Sequence, residues 1–171
     1  PVFNNECAYA TSLGTQAYAD CPANATAGTT VGATQSGSNS CNGSATLDVW
    51  YYAYSYSGSS LFVDLSNVTA AGIGIEVFDA CGGNLVYCAS GTSHTVPTAL
   101  STYYYIKVFS TSPGTFSICA STPVANNECA YATSLGTQAF ADCPANATAG
   151  TTVGATQSGA NSCNGSATLD V

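Results

Sequence analysis

Residues 4–49 recur at 126–171 with only two substitutions, Tyr18 by Phe140 and Ser38 by Ala160. Near-identity at an offset of 122 residues constrains the fold before any local propensity is weighed, because both copies must take the same structure. With the leading Pro-Val included, one unit spans residues 1–122 and a second begins at Pro123. This predicts one complete unit over 1–122 and the N-terminal part of the next over 123–171. The second copy stops at Val171, just before the counterpart of Trp50 and inside a strand-like pattern, so the chain is read as a window on a longer tandem array.

Within a unit the apolar residues alternate with period two rather than 3.6. Residues 60–66 place Leu61, Val63 and Leu65 against Phe62 and Asp64, and residues 72–79 place Ile73, Ile75 and Val77 against Glu76 and Phe78. Further strands are expected at 15–20, 27–34, 47–57, 84–89, 93–98, 102–110 and 115–121, separated by Cys-Gly-Gly, Ser-Pro-Gly and Ser-Gly turns. One Lys, no Arg and no Met, set against abundant Ser, Thr, Gly, Asn and Tyr, leave little material for helices. The fold class is therefore all-β. An antiparallel two-sheet sandwich of jelly-roll or Greek-key type is expected, since a single open sheet of this length would leave a wet face. Only residues 4–11 bid for a helical turn, with Asn4 or Asn5 as its cap.

Six cysteines fall in the first unit (Cys7, Cys21, Cys41, Cys81, Cys88, Cys119) and three in the second (Cys129, Cys143, Cys163). So many cysteines among so few charges predict an oxidising, extracellular or cell-surface setting and a disulfide framework. Cys81 and Cys88 flank a Gly-Gly turn and are expected to bridge across it. Pairs Cys7 with Cys21 and Cys41 with Cys119 complete the expected set. Nine is odd, so at least one of Cys129, Cys143 and Cys163 is expected to pair outside this segment or stay free, with Cys163 the candidate. No Cys-x-x-Cys occurs and the lone His94 stands apart from other ligands, so no metal or other cofactor is expected.

A net charge of −8 with Lys107 as the one cation excludes the electrostatic footprint of a nucleic-acid binder and disfavours anionic membranes. No apolar run reaches 18 residues, so no membrane-inserted helix is expected. Catalysis lacks its parts: His94 is read as an exposed polar strand residue, and Asp64 and Glu76 as solvated carboxylates on adjacent strands, with Asp48 and Asp79 the only further candidates for a carboxylate pair. The tyrosines carry more information. Tyr51, Tyr52, Tyr54 and Tyr56 on one strand and Tyr103, Tyr104 and Tyr105 on another alternate, so that one set fills the core while Tyr52, Tyr54, Tyr56, Tyr103 and Tyr105 form an aromatic face. Such a face stacks on sugar rings or buries against a neighbouring unit. Asn24, Asn42 and Asn67 head glycosylation sequons, two of which return at Asn146 and Asn164.

The ordered set Asn5-Glu6-Cys7-Ala8, Gly28-Thr29-Thr30-Val31-Gly32, Asp48-Val49-Trp50-Tyr51, Val77-Phe78-Asp79-Ala80-Cys81-Gly82-Gly83, Tyr104-Tyr105-Ile106-Lys107-Val108 and Gly114-Thr115-Phe116-Ser117-Ile118-Cys119 resembles the secreted six-cysteine β-sandwich repeats of Bacteroidetes-type surface proteins. Those repeats are similar to bacterial pre-peptidase C-terminal domains. The resemblance implies an extracellular accessory or adhesive sandwich without catalysis of its own. Ala89-Ser90-Gly91-Thr92 stands where relatives often carry an acidic loop, so no calcium site is implied. Two functions follow as expectations. The first is a structural subunit of an extracellular fibre, partnered by copies of itself through strand pairing or a continuous array; the second is a lectin-like or adhesin module that holds polysaccharide on the tyrosine face.

Overall fold

β4 (Leu47–Ser55) and β9 (Thr102–Ser110) are the runs richest in aromatic and β-branched residues, and they pair antiparallel along all their length, from Leu47 opposite Ser110 to Ser55 opposite Thr102. They form the centre of one sheet in a computed structural model that describes residues 2–17, 20–21, 23–56 and 60–122. The chain divides at Thr122 into two units, and the described residues lie in the first. On the far side of β9 lie β6 (Gly74–Phe78) and then β7 (Leu85–Ser90), while β1 (Thr11–Ser12) runs parallel along the other edge of β4. The second sheet is built on β10 (Thr115–Thr122), which pairs antiparallel with β5 (Ser60–Ser66), itself paired with β8 (Ser93–Pro97). The other edge of β10 is shared by β2 (Gln16–Ala17), parallel, and β3 (Thr26–Thr29), antiparallel.

The sandwich closes because period-two alternation gives each sheet one apolar face. Val49, Tyr51 and Ala53 on β4, Tyr104, Ile106 and Val108 on β9, and Ile75 and Val77 on β6 meet Leu61, Val63 and Leu65 on β5, Val96 on β8, and Phe116, Ile118 and Ala120 on β10. Tyr51 and Tyr104 thus enter the core, and Tyr104 Oη accepts the backbone N–H of Ala99 at 2.7 Å. Gly28 on β3 is required by this packing: a Cβ there would lie 2.5 Å from the ring of Phe116 and against the hydroxyl of Tyr51.

Three expectations for the N-terminal segment are corrected. Only Cys7–Tyr9 is helical, a single 3-10 turn, and its cap position is Glu6, which makes no side-chain cap bond. Asn4 and Asn5 bind tertiary partners instead: Asn4 Nδ2 donates to the carbonyl of Trp50 at 2.8 Å, and Asn5 exchanges bonds with Thr34. The strand expected at 27–34 is confined to Thr26–Thr29, after which the chain turns at Val31 and Gly32, where φ is +80°.

All three expected disulfides are also corrected. The bonds join Cys7 to Cys81, Cys21 to Cys119 and Cys41 to Cys88. Cys81 lies in the loop after β6, whereas Cys88 sits on the ladder opposite Glu76, so the two cysteines that flank the Gly-Gly turn in sequence are at different levels of the hairpin. Proximity across a turn is the wrong guide, because Cys7, Cys21 and Cys41 each bond to a cysteine of residues 81–119 rather than to one another. Cys129, Cys143 and Cys163 lie outside the described residues, as does the segment 149–171 expected to pair with another subunit.

Candidate functional site

The outward face of the first sheet is a grid fixed by strand register. One row sets Tyr54 opposite Tyr103, the next sets Tyr52 opposite Tyr105 and Phe78, and the next sets Trp50 opposite Lys107 and Glu76, with Cys88 beyond. The ring centroids form a continuous chain: Tyr56 to Tyr54 and Tyr54 to Tyr103 are each 4.7 Å apart, and Tyr52 is 6.0 Å from both Tyr103 and Tyr105. Most of these contacts are edge-to-face, the arrangement favoured by ring quadrupoles. Tyr56 and Tyr103 are 64% and 54% exposed, while Tyr52, Tyr54 and Tyr105 are half-buried. All five tyrosines singled out in the sequence therefore share one open surface.

The other half of this face is covered. Residues 36–41 cross it as a strap, held by the Cys41–Cys88 bond and by buried polar groups. Asp48 accepts from Ser36 N at 3.1 and 3.2 Å and from Ser36 Oγ at 2.5 Å, and Trp50 Nε1 donates to the same Oγ at 2.8 Å. Burial raises the Asp48 carboxyl above the usual Asp range, opposed by its bonds to Ser36. Lys107 donates to the carbonyl of Ser38 at 3.2 Å, and Glu76 accepts from the N–H of Ser40. Lys107 and Glu76 form an ion pair beneath the strap, both essentially without solvent exposure, with the ammonium 5.8 Å from the Trp50 ring and 5.7 Å from the Phe78 ring. Between the strap and the chain around Cys7 and Cys81 a cleft of about 510 Å³ remains open, floored by Trp50, Phe78 and Lys107 and walled by Glu6, Ser36 and Ser38.

Two sequence readings fail here. Glu76 is not solvated but fully buried, because the strap lies over it, and it lies on the first sheet while Asp64 lies on the second. Asp64 instead accepts from Ser93 Oγ at 2.6 Å. Nor is His94 exposed: it is 3% accessible, with Nε2 at 3.0 Å from the carbonyl of Gly91 and Nδ1 at 3.5 Å from Tyr87 Oη. Burial holds its pKa below the ordinary imidazole value. Cys41, Glu76 and Cys88 bring their ligand atoms within 4.8 Å of one another, but the sulfurs are bonded together and the carboxylate faces Lys107, so these donors are already engaged. Asn24 and Asn67 are exposed and Asn42 is half-buried, its Nδ2 3.4 Å from the carbonyl of Gly72; Asn146 and Asn164 lie outside the described residues.

Trp50, Phe78 and Lys107 were not singled out from the sequence as part of this face. The signal was present in the same alternation, since Trp50 precedes Tyr52 by two and Lys107 follows Tyr105 by two.

Residues 3–118 match the T9SS-associated family described as galactose binding domain-like. The chain belongs to that family. Its galactose binding domain-like unit thus takes in both the aromatic face and the strap, and a T9SS-associated domain is a secreted or surface domain. Among solved structures, the pre-peptidase C-terminal domain of a collagenase from Bacillus anthracis is similar at 14% identity, with a TM-score of 0.42 over 65% of this chain and 93% of that one. No curated protein matches the chain. No helix among the described residues is long and apolar enough to cross a membrane.

Proposed function

We propose that this galactose binding domain-like unit is a non-catalytic carbohydrate-binding module of a secreted or surface protein, and that its ligand is a polysaccharide whose sugar rings stack on Tyr52, Tyr54, Tyr56, Tyr103 and Tyr105. The observation that carries this reading is the exposure of linked tyrosine rings on an otherwise disulfide-covered sheet face. Contiguous exposed aromatics mark binding surfaces, and a tyrosine ring offers an apolar plane with a hydroxyl at its rim, matched to the C–H face and hydroxyl edge of a pyranose. The family description supports the same class of ligand. A glycan array with the purified chain tests it: binding to at least one neutral polysaccharide is expected, lost in Tyr54→Ala and Tyr103→Ala with the fold intact. No binding across the array would end this reading.

A second reading, a subunit of an extracellular fibre, is supported by the 122-residue repeat. Units joined head to tail make heterologous contacts, and these propagate when they do not close. Electron microscopy of native material distinguishes it; discrete short monomers would exclude it.

A further inference from the structure

The cleft beside the strap is assembled by two of the disulfides. Cys41–Cys88 ties down the strap that forms one wall, and Cys7–Cys81 ties the turn Cys7–Tyr9 to the loop after β6, which together form the other. Its volume of about 510 Å³ falls within the span of about 300–1,000 Å³ usual for small-ligand pockets. A cavity whose walls are cross-linked is already in its binding shape, so a ligand loses little free energy to ordering the protein.

The floor of the cleft is aromatic and held in place. Trp50 and Phe78 stand on β4 and β6 with β9 between them, yet their ring centroids lie only 5.5 Å apart, so the two side chains lean together across Lys107. The indole is anchored at its edge by the bond from Nε1 to Ser36 Oγ at 2.8 Å. The Lys107 ammonium beside these rings is matched by Glu76, by the carbonyl of Ser38 at 3.2 Å and by the two rings, at 5.7 and 5.8 Å from their centroids.

These charges select the ligand. Lys107 is already neutralised and does not call for an anion, and Glu6, exposed in the wall, repels one. A cation is opposed in turn by the ammonium that already occupies the two rings. Glu6 is an acceptor: its Oε1 takes the N–H of Asn5 Nδ2 at 3.2 Å, and its carboxylate has further lone pairs for hydroxyl donors. Ser38, exposed on the strap, carries a hydroxyl that both donates and accepts. An uncharged ring with an apolar face and hydroxyls at its edge meets all of these conditions.

We propose that this cleft is a second ligand site, separate from the tyrosine face, that holds one neutral pyranose with its C–H face on Trp50 and Phe78 and its hydroxyls on Glu6 and Ser38. The site stands on its own residues and does not depend on polysaccharide binding at the tyrosines.

Trp50 is the only tryptophan in the sequence, so its fluorescence, excited where tyrosine does not absorb, reads this cleft. The full chain is titrated with the methyl pyranosides of galactose, glucose and mannose, and with glucuronate. A saturable change in Trp50 emission is expected with at least one neutral glycoside and none with glucuronate. Glu6→Gln alters a side chain that makes no cap bond and is expected to weaken that binding about tenfold, the worth of one hydrogen bond to a charged group. Ala8→Phe sets a ring from the exposed turn into the cleft and is expected to abolish the response with the melting temperature unchanged. Phe78→Ala, which removes part of the floor, is the second check and is also expected to abolish it. Tyr54→Ala and Tyr103→Ala are expected to keep it. No response to any of the three glycosides, an equal response to glucuronate, or an undiminished one in Ala8→Phe and Phe78→Ala would overturn the proposal. A response lost in Tyr54→Ala or Tyr103→Ala would also overturn it and assign the signal to the tyrosine face. A chain that binds polysaccharide on the array yet gives no Trp50 response would end this proposal alone.

Discussion

Lys107 and Glu76 are register partners on β9 and β6, and the ion pair they form also anchors the strap, Lys107 through the carbonyl of Ser38 and Glu76 through the N–H of Ser40. One pair of opposite charges therefore joins three elements. Removing either partner leaves a buried charge without its complement, which costs about 3–5 kcal/mol. Lys107→Met and Glu76→Gln are each expected to lower stability by that amount in denaturant titration. The double variant Lys107→Met/Glu76→Leu is expected to recover much of the loss, because a buried pair replaced by apolar side chains costs little. Equal losses in single and double variants would show that the strap needs its polar anchors more than the face needs neutrality.

Gly28 is expected to be intolerant of even one added methyl group. The Cβ of an alanine would press on the Tyr51 hydroxyl and lie 2.5 and 2.6 Å from Phe116 ring atoms, and both rings are packed core residues. Overpacking of this kind costs about 1–3 kcal/mol. Thermal unfolding of Gly28→Ala measures it, with Gly43→Ala, where no atom lies within 4 Å of the added carbon, as the control that should be near neutral.

His94 gives the fold a pH dependence whose sign follows from its burial. Its pKa is depressed in the folded state, so the unfolded chain binds the proton more readily. The stability that neutral His94 contributes is fully present above its unfolded value near 6.5 and is lost as pH falls through the lower folded value. The local slope cannot exceed about 1.4 kcal/mol per pH unit for one proton. Chemical denaturation between pH 8 and pH 4 is expected to show this loss in the natural chain and a flatter profile in His94→Gln. Parallel profiles would remove His94 as the cause.

The alternation of apolar residues located the long strands closely: residues 102–110 and 60–66 are strands with the bounds expected of them, and the outward tyrosines were read from the same pattern. Alternation reports which face a side chain takes. It does not report what covers that face. Glu76 was read as solvated because it points away from the core, and the strap that buries it comes from residues 36–41, whose Ser, Gly and Asn composition has no periodicity to read. His94 failed for a related reason, since its burial rests on Gly91 and Tyr87 from a neighbouring strand and turn. The disulfides were illegible because sequence separation is a poor guide where an N-terminal clip returns to both sheets, and β1 and β2, with two residues each, are too short for any pattern.

The disulfides differ in what they hold, and their removal should show it. Cys21–Cys119 closes a loop of 98 residues and Cys41–Cys88 one of 47. In the chain-entropy account these restrict the unfolded chain by about 4.7 and about 4 kcal/mol, a small difference on that account alone. The folded state separates them. Cys21 and Cys119 are both buried, so Cys21→Ala/Cys119→Ala also leaves unfilled space, whereas the strap that carries Cys41 keeps its bonds to Asp48, Glu76 and Lys107 without its sulfur link. Cys21→Ala/Cys119→Ala is therefore expected to lose about 4–5 kcal/mol and Cys41→Ala/Cys88→Ala less, toward the lower end of the 2–5 kcal/mol range for native disulfides. Urea unfolding of both variants with the remaining bonds intact measures the order. A larger loss at Cys41–Cys88 would mean that the polar anchors do not hold the strap by themselves, and hydrogen exchange at Ser36 and Ser40 would then be fast in that variant.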